Sequence, residues 1–236
     1  MRNNNLRSFW SRLLDTIAPR QCCQCHRRLT IDEEMLCASC LLHLPRTFFS
    51  ATPTDNPMTR CLWGLLPVER AAALFYYEPG SEATSVIRAM KYDDRPDIGV
   101  SVGQLMATEM MGDGFFDDID LLVPVPLTKK RRRQRGYNQS LMLAKGVSQV
   151  TGIPISEAVV ICTRFSESQT KKVAWERRQN VEQAFELVSD ADIANKHLLL
   201  IDDVLTTGAT IVSCGTPLVK QPNVRLSVLT AGYAKG

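Results

Sequence analysis

Residues 198–210 read LLLIDDVLTTGAT, and this stretch narrows the possible folds more than any other part of the chain. Its leading aliphatic run describes a fully buried strand. Two adjacent acids end the strand, and a Thr-Thr-Gly-Ala-Thr turn leads into a helical stretch. Asp202 and Asp203 thus stand at a carboxyl strand end, where open α/β sheets bind ligands. The hydroxyls of Thr206, Thr207 and Thr210 can wrap a phosphate together with backbone N–H groups at Gly208 and Ala209. Gly208 permits close backbone approach. The two carboxylates can accept from vicinal hydroxyls such as a ribose diol. The Gly-Lys-Ser/Thr signature of a Walker loop is absent. The plain alternative is an acidic strand end before an ordinary capped helix. Neighbouring carboxylates repel each other unless they are hydrogen-bonded, which counts against it.

The rest of the chain alternates in the same way. Residues 71–78, 119–125 and 197–202 predict strands, with further strands over 154–162 and 224–231. Residues 81–92, 97–111, 138–150 and 210–219 carry helical spacing, Ser81 capping the first. This alternation predicts an α/β domain with a mainly parallel sheet over residues 68–236. Residues 163–183 are too polar and basic for core.

Eight cysteines are present, and five fall within residues 22–40, CCQCHRRLTIDEEMLCASC. That clustering reads as a metal site rather than a disulfide framework. Cys22-x-x-Cys25 and Cys37-x-x-Cys40 supply four thiolates, the number Zn2+ takes in a tetrahedron. Cys23 points away in this reading, although Cys23 and Cys25 could exchange roles, and His26 is a lesser substitute ligand. The alternatives are buried free thiols or a redox pair, and the latter lacks βαβ surroundings. A four-thiolate site is closed, so its role is folding or docking rather than catalysis. A small zinc-ribbon-like module and linker therefore span residues 22–67. Within it, residues 44–67 read as a linker with little regular structure, and Cys61 as a lone buried thiol.

Residues 1–21 predict an amphipathic helix with Leu6, Phe9, Trp10, Leu13, Leu14 and Ile17 on one face, stopped by Pro19. Such a helix either docks on the protein or lies on a membrane surface. It lacks the apolar stretch and cleavage site of a secretory signal, so a cytoplasmic protein is expected, membrane-associated only through partners. With 236 residues, 44% of them hydrophobic, the chain can bury a sizeable core, which excludes wholesale disorder. No apolar run approaches the roughly 18 residues of a membrane span. A net charge of +3 neither demands nor excludes a nucleic-acid partner.

The 198–210 stretch resembles the phosphoribosyl-pyrophosphate (PRPP) motif of type I phosphoribosyltransferases. In that family the acids hold the ribose hydroxyls and the Thr/Gly turn holds the 5′-phosphate. More of the chain is similar to the ComF/GntX family. These are phosphoribosyltransferase-like proteins with an N-terminal zinc module, linked to DNA uptake in natural transformation or to the use of DNA as nutrient. Arg135-Gly136-Tyr137-Asn138-Gln139 matches the family's Arg-Gly-aromatic-Asn-Gln signature. Gln169, Arg177 and Asn180 match its Gln…Arg-x-x-Asn pattern, and Lys91-Tyr92 an upstream Lys-aromatic pair. The resemblance covers roughly residues 20–232. It implies the type I phosphoribosyltransferase fold, PRPP carried with Mg2+, and substrate contacts from Arg135, Tyr137, Asn138, Gln139, Gln169, Arg177 and Asn180. Some relatives carry further cysteine pairs after the first module, where this chain has only Cys61.

Lys129, Lys130, Arg131, Arg132, Arg133 and Arg135 concentrate positive charge just after a strand end and two prolines. One or two of these cations suit a pyrophosphate. The surplus suits single-stranded DNA, with Tyr137 and Trp175 available to stack on bases. A solvated charge run is the plain reading. Residues 165–180 stand where type I enzymes carry a loop that closes over substrate, and an ordinary surface loop is the alternative. Two functions are therefore expected to compete. One is an enzyme in which a nitrogen nucleophile displaces pyrophosphate at C1′ of PRPP. The other is a non-catalytic module on the same fold that binds nucleic acid or DNA-uptake proteins.

Overall fold

The computed structural model describes residues 19–78, 80–92, 95–163, 185–188 and 192–234. The predicted N-terminal helix lies outside the described residues up to residue 18, as do Gln169, Arg177, Asn180 and Trp175.

The first described elements belong to the cysteine module. A bridge between Gln21 and Arg28 closes the first Cys-x-x-Cys turn, and α1 (Ala38–Leu42) follows the second. Residues 44–67 carry more regular structure than their Pro, Thr and Asn content suggests. Phe49–Ala51 forms a 3-10 turn and Pro57–Leu62 forms α2. Asn56 explains α2. Its side chain accepts from the backbone N–H groups of Met58 and Thr59, while Thr59 reaches back to the Asn56 backbone, a complete capping box with Pro57 opening the helix. Met58 and Leu62 are fully buried, so the segment is part of the core.

The main body runs β1 (Ala71–Tyr76), α3 (Glu82–Tyr92), α4 (Pro96–Met110), β2 (Leu121–Pro124), α5 (Lys129–Arg135) and α6 (Gln139–Thr151). It continues with β3 (Val160–Cys162), β4 (Phe185–Leu187), β5 (His197–Leu205), α7 (Ala209–Val219) and β6 (Arg225–Tyr233). Four strands form a parallel sheet in the order β1-β6-β5-β2, and β3 and β4 form a separate antiparallel pair. Of the strand predicted over 154–162, only Val160–Cys162 is strand, while Ile155 makes a parallel bridge to Leu122. Pro154 has no N–H to offer a ladder and gives only its carbonyl, to the Leu122 N–H.

The two crossovers nearest the centre run in opposite directions. From β2 the chain passes through α6 to Ile155, beyond the sheet edge. From β5 it passes through α7 to β6, toward the other edge. Parallel crossovers are right-handed, so α6 and α7 cover opposite faces. The topological switch point therefore lies between β2 and β5, and their carboxyl ends frame a crevice there. Leu198, Leu199, Leu200 and Ile201 are fully buried. Each such side chain contributes about 1.5–3 kcal/mol by leaving water, which fixes where the strand must deliver Asp202. No described helix is long and apolar enough to cross a membrane.

Candidate functional site at the switch point

Strand β5 runs past the predicted end to Leu205, and toward its carboxyl end it presents Asp202 and Asp203 to a polar cavity of about 130 Å3. Asp202 is half-buried and lines this cavity. Its Oδ1 accepts from Ser140 Oγ at 3.0 Å and from the Asp203 backbone N–H at 2.9 Å. Burial, and then the neighbouring Asp203 charge, push the Asp202 carboxyl up to about 7; the two hydrogen bonds and the Lys91 charge oppose that rise. Asp203 Oδ2 is paired with Lys91 Nζ at 2.9 Å.

The turn after β5 places Gly208 at the α7 N-cap with φ +76°, a left-handed conformation suited to glycine. No side chain caps this helix, so the start of α7 keeps its anion-binding character. A Cβ at Gly208 would stand 3.0 Å from Leu62 Cδ2 and 3.7 Å from Cys61 Sγ. Helix α2 therefore packs directly beneath the turn. Thr210 lines the cavity, whereas Thr206 and Thr207 stand exposed on the turn and Ala209 is half-buried.

The opposite wall is basic. Thr128 caps α5 by accepting from the Arg131 backbone N–H, and Gly136 ends the helix at φ +75°. The predicted charge run is thus a short helix, whose winding separates its cations. Arg131 and Arg135 line the cavity, while Lys130, Arg132 and Arg133 point to solvent. Lys129 opens the helix. Arg135 donates to Gln139 Oε1 at 2.9 Å and lies 5.9 Å from the centre of the Tyr92 ring. Gln139 is buried in the cavity wall, and its Nε2 has no partner among the described residues.

Two members of the Arg-Gly-aromatic-Asn-Gln signature hold the scaffold. Asn138 is buried and caps α6, its Oδ1 accepting from the Ser140 N–H while its Nδ2 donates to the Val125 carbonyl at 3.0 Å. Tyr137 Oη donates to the Met90 carbonyl at 2.7 Å, tying the α5–α6 junction to the last turn of α3. The remaining lining includes Cys162 and Phe185, the paired ends of β3 and β4. Sequence reasoning gave no site role to Lys91, Ser140, Cys162 or Phe185. Lys91 was visible only as half of a Lys-aromatic pair, and Ser140 as the residue after the signature. Nothing in residue spacing announces the other two.

The second cluster is the cysteine module. The Sγ atoms of Cys22, Cys25, Cys37 and Cys40 lie within 4.8 Å of one another, and those of Cys25 and Cys37 are 3.7 Å apart. A tetrahedron with 2.3 Å Zn–S bonds has edges of about 3.8 Å, so the four could hold a structural zinc ion. Burial pushes the Cys22 thiol up, but N–H groups of Cys25, Cys37 and Gln24 outweigh it and bring the group to about 7. Burial and the neighbouring thiols push Cys40 up. Cys23, His26 and Cys61 stand outside the four.

No family model matches the chain. It is 27% identical over 201 residues to DNA utilization protein YhgH of Escherichia coli (strain K12), covering 84% of each chain. It is 37% identical over 93 residues to Competence protein F of Haemophilus influenzae, covering 39% of this chain and 41% of that one. Among solved structures it is similar to the glutamine PRPP amidotransferase of B. subtilis. The identity is 19% and the TM-score 0.39, over 60% of this chain and 30% of that one. The chain is thus similar to proteins named for DNA utilization and competence, and its fold is α/β with a parallel sheet behind a four-cysteine module.

Proposed function

We propose that the chain is a phosphoribosyltransferase-like protein that binds PRPP with Mg2+ at the switch point and serves DNA uptake or the use of DNA as nutrient. One observation carries the reading: an acidic pair and an uncapped helix start on one side of the crevice face two arginines on the other. Asp202 and Asp203 accept from the ribose diol. The start of α7, with Thr210 and the turn residues Thr206 and Thr207, takes the 5′-phosphate. Arg131 and Arg135 meet the pyrophosphate. Gln139 offers the amide N–H groups of a side chain that Arg135 already orients. Mg2+ arriving with the pyrophosphate supplies charge neutralisation for that leaving group.

In the catalytic form of this reading, a nitrogen nucleophile forms its bond to C1′ while the C1′–O bond to pyrophosphate breaks. Pyrophosphate leaves with the electron pair, and the nitrogen loses a proton. The adjacent carboxylates favour the positive charge developing on the sugar. The relatives' names, DNA utilization protein and Competence protein F, support the physiological half of the proposal.

The test is calorimetric titration of PRPP, with and without Mg2+, into wild type and Asp202→Asn. Binding that needs Mg2+ and disappears in the variant supports the reading. Equal affinity in both proteins removes Asp202 from the site. A second reading, a nucleic-acid module, is favoured by Lys130, Arg132 and Arg133, which face solvent away from the cavity. Single-stranded DNA should then bind with a steep salt dependence, and Arg132→Ala/Arg133→Ala should flatten it. A salt-independent response excludes that reading.

A further inference from the structure

Lys91 has no part in the proposed ligand contacts, yet it is the residue most firmly built into the acidic pair. It stands in the last turn of α3 and is 21% exposed, while its partner Asp203 is 15% exposed. The turn that carries it is held from the opposite wall. Tyr137 bonds the Met90 carbonyl, and Arg135 lies over Tyr92. The residues on both sides of Lys91 are thus tied to the α5–α6 junction. An exposed ion pair contributes little, but a pair enclosed between three elements sets the charge state of its surroundings.

We propose that Lys91 is a positioning residue for the acidic pair: by neutralising Asp203 it eases the charging of Asp202 beside it, so that Asp202 can accept a ribose diol. This rests on the reading of the switch point as a ribose-phosphate site. With Asp203 unneutralised, repulsion between the adjacent carboxylates would favour a protonated Asp202. A protonated carboxyl offers a donor where the diol needs an acceptor. Lys91 relieves that conflict without touching the ligand. Among the described residues, the titratable and charged groups facing Asp202 are Asp203, Lys91, Arg131, Arg135, Cys162 and Cys214. Arg131 and Arg135 come from α5 across the cavity, whereas Lys91 is paired directly with Asp203. The Cys214 thiol, buried behind Asp202, is pushed well up by that burial and adds no charge near neutral pH.

The first arm of the test needs no ligand. Aspartate carboxyl carbons are followed by 13C NMR across pH 5–9 in wild type, Lys91→Met and Lys91→Arg. The Asp202 signal is assigned by its loss in Asp202→Asn. Loss of a cation at this range raises a carboxyl by about one unit or more, so Lys91→Met should move the Asp202 midpoint up by that much and Lys91→Arg should restore it. An unmoved midpoint overturns the proposal even if Lys91→Met lowers thermal stability, because that result would describe a purely structural tie. Lys91→Arg behaving like Lys91→Met overturns it equally.

The second arm measures PRPP affinity in the presence of Mg2+ at pH 6.5 and 8.5. Lys91→Met should weaken binding about tenfold at pH 6.5, the loss of ionised fraction that one unit implies, and clearly less at pH 8.5. The same loss at both pH values overturns the proposal. Failure of wild type to bind PRPP at either pH defeats the site reading and the proposal with it. A moved NMR midpoint then identifies the ligand, rather than the charge coupling, as the part that failed.

Discussion

A carboxyl held at about 7 inside a protein is destabilising near neutrality, and Asp202 is such a group. Its folded-state value lies above the unfolded one. The stability it contributes is present below the unfolded value and is lost as pH rises through the folded value. At pH 8 the folded chain must keep Asp202 charged in its enclosure, at a cost of about 2–4 kcal/mol. Asp202→Asn should therefore raise Tm by about 5–10 °C at pH 8 and by clearly less at pH 5, while abolishing PRPP binding. A melting series over pH checks this, and a variant that lowers Tm at pH 8 would contradict it. Gly208 sits at φ +76°, with Leu62 closing the space a side chain would need. Gly208→Ala should cost about 1–2 kcal/mol in strain and weaken PRPP binding through the displaced turn. Denaturant titration of folded variant and wild type measures the first effect, calorimetry the second. The acid pair and this glycine were legible as residues in the sequence. The raised Asp202 group was not, because it depends on burial, which only the packing of elements far apart in sequence creates.

Helices α4 and α6 meet through two glycines. A Cβ on Gly146 would fall 2.1 Å from the Val100 carbonyl oxygen, and one on Gly103 would fall 2.1 Å from that of Leu143. Backbone atoms cannot yield as side-chain tips do, so Gly146→Ala must push the helices apart. It should destabilise the protein by about 2 kcal/mol or more, whereas Gly112→Ala, with nothing within 4 Å, should be nearly neutral. Equal denaturation midpoints for the two variants would contradict this packing. Because α6 also carries Ser140 and Gln139 into the cavity, the Gly146 variant should lose ligand affinity as well. Most helices and strands of the main body were legible from periodicity. Among the elements that were not, two show different reasons. Helix α5 is nearly all cationic and has no apolar face to report its period. Helix α2 is short and sits among Pro and Thr, although Asn56-Pro57 followed by Thr59 carried a cap signal.

The molecule joins its cysteine module to the sheet body through one continuous core, in which Leu29, Met35, Leu36 and Leu44 cluster with the strands and helices of the main body. Polar ties reinforce this. Ser85 donates to Gln24, Ser101 to Glu34 at 2.6 Å, and Arg46 pairs with Glu109 at 2.7 Å. A zinc ion at the four cysteines would then stabilise helices α3 and α4 as well as the module. Cys37→Ser should lower zinc content from one ion per chain to none and reduce Tm, measured by elemental analysis and melting. Full stability in zinc-free protein would contradict that role. The cysteine spacing and the Asp-Asp turn each announced a site, but the sequence could not show how the sheet connects them. The switch point depends on strand order, and strand order follows from long-range pairing that periodicity does not encode. Of the second wall, the α5 cations were candidates from their place after a strand end, whereas the part played by Lys91 became visible only with the packing of α3 against the site.

The central claim is that this switch point is a working PRPP site. Calorimetry of PRPP with Mg2+, on folded protein of known zinc content, tests it most directly. Wild type should show saturable, Mg2+-dependent binding that vanishes in Asp202→Asn while the variant stays folded. No heat of binding in wild type, or unchanged affinity in Asp202→Asn, would contradict it.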